Sequence, residues 1–144
     1  MNLDLSSLRN AVDSLQRALN VSQDESAMAR LSQDQRETIR AGTIQNFEFT
    51  YELCWKFMKR WIQINVSPFT GEGVARRELF RLSAEQCLIT DIECWMGFHA
   101  ARNRTSPTYN REVAQETFEI AIPFHPQAAA LLDALEQRND SPKS

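Results

Sequence analysis

Leu5, Leu8, Val12, Leu15 and Leu19 recur at intervals of three and four, which lines them up as one stripe of a helix with Ser, Arg, Asp and Gln opposite. The end of this helix is open, because Asn20 to Ala29 is polar but holds no Gly or Pro; the helix either frays there or continues to about Arg30. Ser32 followed by Gln35 reads as a capping box, opening a helix that runs past Gly42 to about Asn65. At about 100° per residue, Ile44, Phe47, Tyr51, Cys54, Trp55, Met58, Trp61 and Ile62 gather on one broad apolar face. Phe49, Leu53 and Phe57 make a second face, and Gln45, Glu48, Glu52, Lys56, Lys59 and Gln63 form a polar strip between the two. A helix apolar on two sides needs partners on two sides. It is expected at the centre of a bundle, with the second face closing a homodimer.

Val66 to Gly73, with Pro68, Gly71 and Gly73, is the longest loop-like stretch, and a short helix from about Val74 to Ser83 follows. Thr90 with Glu93 reads as another capping box, so a helix begins at Asp91 and turns Ile92, Trp95, Met96 and Phe98 inward. It loses regularity by Ser106, because the residue before Pro107 is pushed away from helical dihedrals. Asn110 is the expected N-cap of the last helix, with Val113, Thr117, Ile120 and Ala121 inward. Pro123 and Pro126 predict a kink or break before Ala128, Leu131, Leu132 and Leu135 resume the pattern. No stretch alternates as a strand would. The expected fold is all-α, an up-and-down four-helix bundle with an extra short helix, in a single domain over residues 1–138 with a disordered tail at 139–144.

Composition changes this picture only at the margins. A chain of 144 residues with 42% hydrophobic and 24% charged residues can bury a core without disulfides. Sixteen Lys and Arg against 19 Asp and Glu give a net charge of −3, so the surface as a whole does not attract nucleic acid and any such contact needs a local patch. The most basic cluster is Arg76, Arg77 and Arg81, which reads either as a solvated face or as a phosphate contact. Cys54, Cys87 and Cys94 lack CxxC spacing and read as buried reduced thiols. Neither a signal-peptide pattern nor a membrane-spanning apolar run is present, so a cytoplasmic location is expected. Neither a metal nor a cofactor is implied.

The densest polar chemistry lies in Arg102-Asn103-Arg104-Thr105-Ser106-Pro107-Thr108-Tyr109-Asn110, at the junction of two expected helices. Arg102 offers a planar fork of donors suited to phosphate or carboxylate, and Tyr109 offers a stacking face and a phenolic oxygen. The plainer reading of Arg102 and Asn103 is a helix C-terminal cap, and of Tyr109 a locally bonded phenol. Glu52 and Lys56 are spaced as an i,i+4 pair worth about 0.3 kcal/mol if exposed.

Asp91, Trp95, Met96, Arg102-Asn103, Thr105-Ser106 and Tyr109-Asn110, together with the block Gln45-Asn46-Phe47-Glu48-Phe49-Thr50-Tyr51-Glu52-Leu53-Cys54-Trp55-Lys56, resemble the HEPN-fold partners of minimal nucleotidyltransferases, the HepT-like toxins. The resemblance covers roughly residues 5–135. It implies a homodimer, a nucleotidyltransferase antitoxin as partner, and RNA or nucleotide bound by Arg102, Asn103, Thr105 and Tyr109. It also implies metal-independent RNA cleavage through an Arg-x4-His-x-Tyr motif, with AMP transfer to Tyr109 as the silencing modification. Here the motif runs Arg102, Pro107, Tyr109. Pro107 has no titratable atom, and loss of a general acid or base costs about 10²–10⁴ in rate, so a weak or inactive nuclease is expected. The alternatives are an active endoribonuclease and a non-catalytic helical interaction module. His99 lies one turn before Arg102 and Asn103 on the same side of its helix and is a candidate stand-in, although a lone His beside an aromatic core is more commonly structural. His125, between two prolines, is a weaker one.

Overall fold

The computed structural model describes residues 3–66, 75–104 and 110–139. These residues form α1 (Ser6–Ser22), α2 (Glu25–Ala29), α3 (Gln33–Asn65), α4 (Arg76–Glu85), α5 (Ile92–Arg104) and α6 (Arg111–Asn139), with no strand among them. The fold is all-α. Four longer helices, α1, α3, α5 and α6, are joined by two shorter ones, one more than the pattern implied. Most of the expected loop after Val66, and the expected tail from residue 140 on, lie outside the described residues.

The leucine stripe of α1 is buried at Leu8, Val12, Leu15 and Leu19, as its spacing requires. The helix stops at Ser22 and does not run on to Arg30. The Asp24 carboxylate accepts the Ala27 amide at 3.0 Å and so starts a separate helix, α2. The Ser32 box forms as expected: Gln35 N–H donates to Ser32 Oγ at 3.2 Å, and Ser32 N–H donates to Gln35 Oε1 at 2.9 Å. From that cap α3 extends 33 residues, about 50 Å. It packs against α1, α4, α5 and α6.

α3 buries Phe47, Tyr51, Cys54, Met58, Trp61 and Ile62 from its first apolar face. The second face divides: Phe57 is buried, Leu53 is half-buried and Phe49 is 59% exposed. Where α1 crosses α3, buried hydroxyls find partners close by. Thr50 Oγ1 donates to Asn46 O at 2.7 Å, Ser22 Oγ to Ala18 O at 2.8 Å, and Thr43 Oγ1 to Ser22 Oγ at 3.1 Å.

α4 ends two residues beyond the expected Ser83. Its end is a Schellman motif in which Cys87 N–H donates to Ala84 O at 3.0 Å and Leu88 N–H to Ser83 O at 2.9 Å. Cys87 takes the left-handed conformation this motif requires, at φ 61°, and Leu88 is buried against the core. The Cys87 thiol is therefore exposed, contrary to the expectation of a buried one, whereas Cys54 is buried and Cys94 half-buried.

The cap of α5 is Asp91, not Thr90: the Asp91 carboxylate accepts the Cys94 amide at 3.1 Å. A carboxylate at this end also meets the positive pole of the helix dipole, which a hydroxyl cannot match. Asn110 caps α6 as expected, its Oδ1 accepting the amides of Glu112 at 2.9 Å and Val113 at 3.2 Å.

The break expected at Pro123 and Pro126 does not occur, and α6 is continuous over 29 residues. Both prolines stand on its exposed side, while Phe118, Ala121, Phe124, Ala128, Leu131, Leu132 and Leu135 are buried along the other. Packing of that whole face outweighs the cost of two missing amide donors. The helix ends at Asn139, one residue past the expected limit. The Asn139 side chain accepts from Leu3 N–H at 3.0 Å and donates to Leu3 O at 2.6 Å.

Phe124 is the hub of the core. Its ring centroid lies 4.9 Å from that of Phe47, 5.0 Å from Phe98 and 5.8 Å from Trp95, all edge-on. Among the described residues no helix is long and apolar enough to cross a membrane.

Candidate functional site

Beside this core, α3, α4 and α5 meet around the hydroxyl of Tyr51. The Tyr51 ring belongs to the apolar stripe of α3 and is fully buried, so its oxygen must find partners within the protein. Arg76 Nη1, from the first turn of α4, donates to that oxygen at 3.0 Å. His99 Nδ1, from α5, lies 2.8 Å from it. One turn along α3, Trp55 stacks under the same Arg76 guanidinium at 3.8 Å.

Trp55 Nε1 donates to Glu52 Oε2 at 3.0 Å, and the other oxygen of Glu52 lies 3.4 Å from Arg102 Nε. Glu48 Oε2 approaches Arg102 Nη1 at 3.6 Å. The expected i,i+4 partner of Glu52, Lys56, instead places its ammonium 5.8 Å from the Trp55 ring. The amide of Asn103 closes the cluster, 3.3 Å from His99 Nε2. Helical spacing puts His99 and Asn103 one turn apart on the same face of α5.

The electrostatics follow from this enclosure. Burial pushes the Tyr51 phenol up to about 12 against the opposing pull of Arg76, so it stays protonated. Burial, then the Arg76 charge, lowers His99 below the usual imidazole value, with Glu52 opposing, so the ring is neutral at pH 7. Arg102 reaches two glutamates of α3. Charge-assisted pairs close to about 2.7–2.9 Å, and both its glutamate contacts are longer and partly exposed.

Of the residues expected at the site, Arg102 and Asn103 are brought together on the last turn of α5. Thr105, Pro107 and Tyr109 lie outside the described residues. Arg102 is engaged with glutamates of α3, a tertiary role the C-cap reading does not supply. His99 is part of the cluster; His125 is not, since it packs on α6 toward Val12 and Asp13 of α1. The basic cluster of α4 divides, with Arg76 turned into the site, Arg77 paired with Glu93, and Arg81 paired with Glu78 and Glu85. The sequence reading placed Tyr51 and Trp55 on the apolar face of α3 and Arg76 in a basic cluster, but not their convergence. The available signal was the polar tip on an otherwise hydrocarbon stripe, since a buried phenol demands a partner.

The fold defines an all-α helical bundle in which a guanidinium, an amide and an imidazole meet at one corner. The particular family follows from comparison: residues 3–137 match the model of the "Nucleotidyltransferase substrate binding protein like" family, to which the chain belongs. A Haemophilus influenzae protein named probable ribonuclease HepT is 36% identical over 107 residues, 72% of each chain. A solved Haemophilus influenzae structure, described as revealing the fold of a substrate binding domain of a nucleotidyltransferase, superposes with a TM-score of 0.88. It is 30% identical and covers 93% of this chain and all of its own. A Thermus thermophilus structure shares the fold at a TM-score of 0.64 and 23% identity, covering 87% of this chain and 98% of that one.

Proposed function

We propose that this chain is the HepT-type, substrate-binding partner of a minimal nucleotidyltransferase, and that it holds a phosphate of RNA or a nucleotide at the end of α5. The observation that carries this is the convergence of Arg102 and Asn103 with His99 at a junction of three helices. The relatives' descriptions as a ribonuclease and as a substrate-binding domain of a nucleotidyltransferase support the same class of ligand. With Pro107 in place of the motif histidine, the binding role outlasts the catalytic one. Thr105 and Tyr109 complete the groove in this reading, and Tyr109 is the acceptor for AMP. The exposed Phe49 supports a homodimer closed by the second face of α3.

Co-expression with the nucleotidyltransferase subunit tests the reading. The expected result is a co-purifying complex and, in the peptide holding Tyr109, a mass increase of one or more AMP groups. Absence of both, together with unchanged RNA or nucleotide binding in Arg102→Ala, overturns it. A second reading, a surviving metal-independent endoribonuclease, draws on the placement of His99 beside Asn103. Cleavage of RNA in the presence of a chelator, abolished in Arg102→Ala, would establish it.

A further inference from the structure

The hydrogen-bond arithmetic around Tyr51 settles more than its own partners. Arg76 Nη1–H donates to the Tyr51 oxygen, so the phenolic hydrogen needs an acceptor of its own, and among the described residues the one within reach is His99 Nδ1 at 2.8 Å. A neutral imidazole that accepts at Nδ1 carries its hydrogen at Nε2. The structure places Asn103 Nδ2 3.3 Å from Nε2; with the hydrogen at Nε2, this exposed amide turns over to offer its oxygen, an orientation that follows from the bonds it satisfies. Arg76, Tyr51 and His99 thus form a directed relay from α4 through α3 to α5. Its outer end is an N–H one turn before Arg102 and Asn103 on the same face of α5.

We propose that His99 is a ligand-contacting residue that donates Nε2–H to a phosphodiester oxygen of RNA, and that Tyr51 and Arg76 are the positioning residues that fix its tautomer. The proposal rests on the reading of the end of α5 as a phosphate site and deepens it. Bound ligand replaces the Asn103 oxygen at Nε2–H, freeing the Asn103 NH₂ to join Arg102 as a donor. Charge selects the ligand class. Three cations, Arg76, Arg102 and Lys56, stand with two carboxylates, Glu48 and Glu52, around a neutral ring. That balance accommodates the single charge of a phosphodiester better than the double charge of a phosphomonoester. A ring held with hydrogen at Nε2 has no outward lone pair with which to take a proton from a ribose hydroxyl. The device binds and does not cleave.

The test uses the full chain, a 2′-O-methyl oligoribonucleotide that cannot be cleaved, and AMP as the dianionic competitor. Long-range ¹H–¹⁵N spectra report the tautomer of His99, and fluorescence anisotropy reports binding between pH 6.5 and 8. The expected results are an Nε2–H ring, flat binding across that range, and AMP weaker than the oligonucleotide. His99→Leu is expected to lose about 10-fold in affinity, and His99→Gln, which restores a donor, to stay within about threefold of the parent. Tyr51→Phe should convert the ring to a mixture of tautomers. An Nδ1–H ring in the parent, or a His99→Gln as weak as His99→Leu, overturns the role of His99; AMP tighter than the oligonucleotide overturns the diester assignment. Loss of binding in Arg102→Ala with no effect of His99→Leu would sink this inference alone. Absence of oligonucleotide binding by the parent chain would sink the phosphate-site reading beneath it.

Discussion

Two groups of buried polar side chains border α3, and they are satisfied in different ways. Toward α1, Ser22, Thr43 and Thr50 each bond to a carbonyl of their own helix one turn back, and Thr43 and Thr50 add longer bonds across to α1 at Ala18 O and Ala11 O. Toward α4 and α5, the Tyr51 hydroxyl depends on Arg76 and His99, side chains from two other elements. In the first arrangement each hydroxyl keeps a partner on its own helix whatever its neighbours do. The second is held only while three helices stay in register, so its polar atoms are aligned by the fold at some cost in robustness. Such dependence is characteristic of a binding corner more than of a core.

The largest expected effect breaks both groups at once. Phe124→Ala removes the ring that Phe47, Trp95 and Phe98 pack around, and should cost about 3–5 kcal/mol in urea unfolding. A loss under about 1 kcal/mol would show that the two sides do not share one core. Next, Tyr51→Phe and Thr50→Val each delete one buried hydroxyl on successive residues. Tyr51→Phe strands partners on two helices and should cost about 1–3 kcal/mol, whereas Thr50→Val should cost under about 1 kcal/mol. Equal losses would erase the distinction drawn above.

Acid should act on the two histidines, one beside each region. Burial is the first cause lowering both His99 and His125, so the unfolded chain binds more protons than the native one just below the ordinary imidazole value. Stability should therefore fall as pH drops through about 6.5 and level off below the native values. Melting temperatures from pH 8 to 5 should show this, with a shallower slope in His99→Gln. A flat profile in the parent would contradict burial of either ring. The smallest change is expected far from both groups. Cys87 holds a left-handed conformation at φ 61°, and Cys87→Gly should raise stability by about 0.5–1 kcal/mol through relief of that strain.

The elements are legible because their signals are local. The leucine spacing of α1, the Ser32–Gln35 box and the Asn110 cap each operate within one or two turns, and each forms as its sequence implies. The prolines of α6 mislead for the same reason: the ring penalty is local, but the burial of seven residues along the opposite face is not. Arg102 and Asn103 stand out as a dense polar cluster in one stretch of chain. Tyr51 and Arg76 do not, because nothing near either residue states that α4 will bring a guanidinium to the phenol. A buried hydroxyl announces that it needs a partner, not which one.

Pro123 and Pro126 have no amide hydrogen to give, so the carbonyls of Glu119 and Ile122 lose their usual donors inside an unbroken rod. Water can bind there, on the exposed side, and wet a notch midway along α6. Ahead of the notch lies the segment that meets α5 through Arg104 and Glu116; behind it lies the leucine-rich half anchored in the interior. We expect the front half to rock on the rear one without melting. Hydrogen exchange should then divide α6 into two blocks of unequal protection, and a single smooth gradient along its length would rule such a joint out.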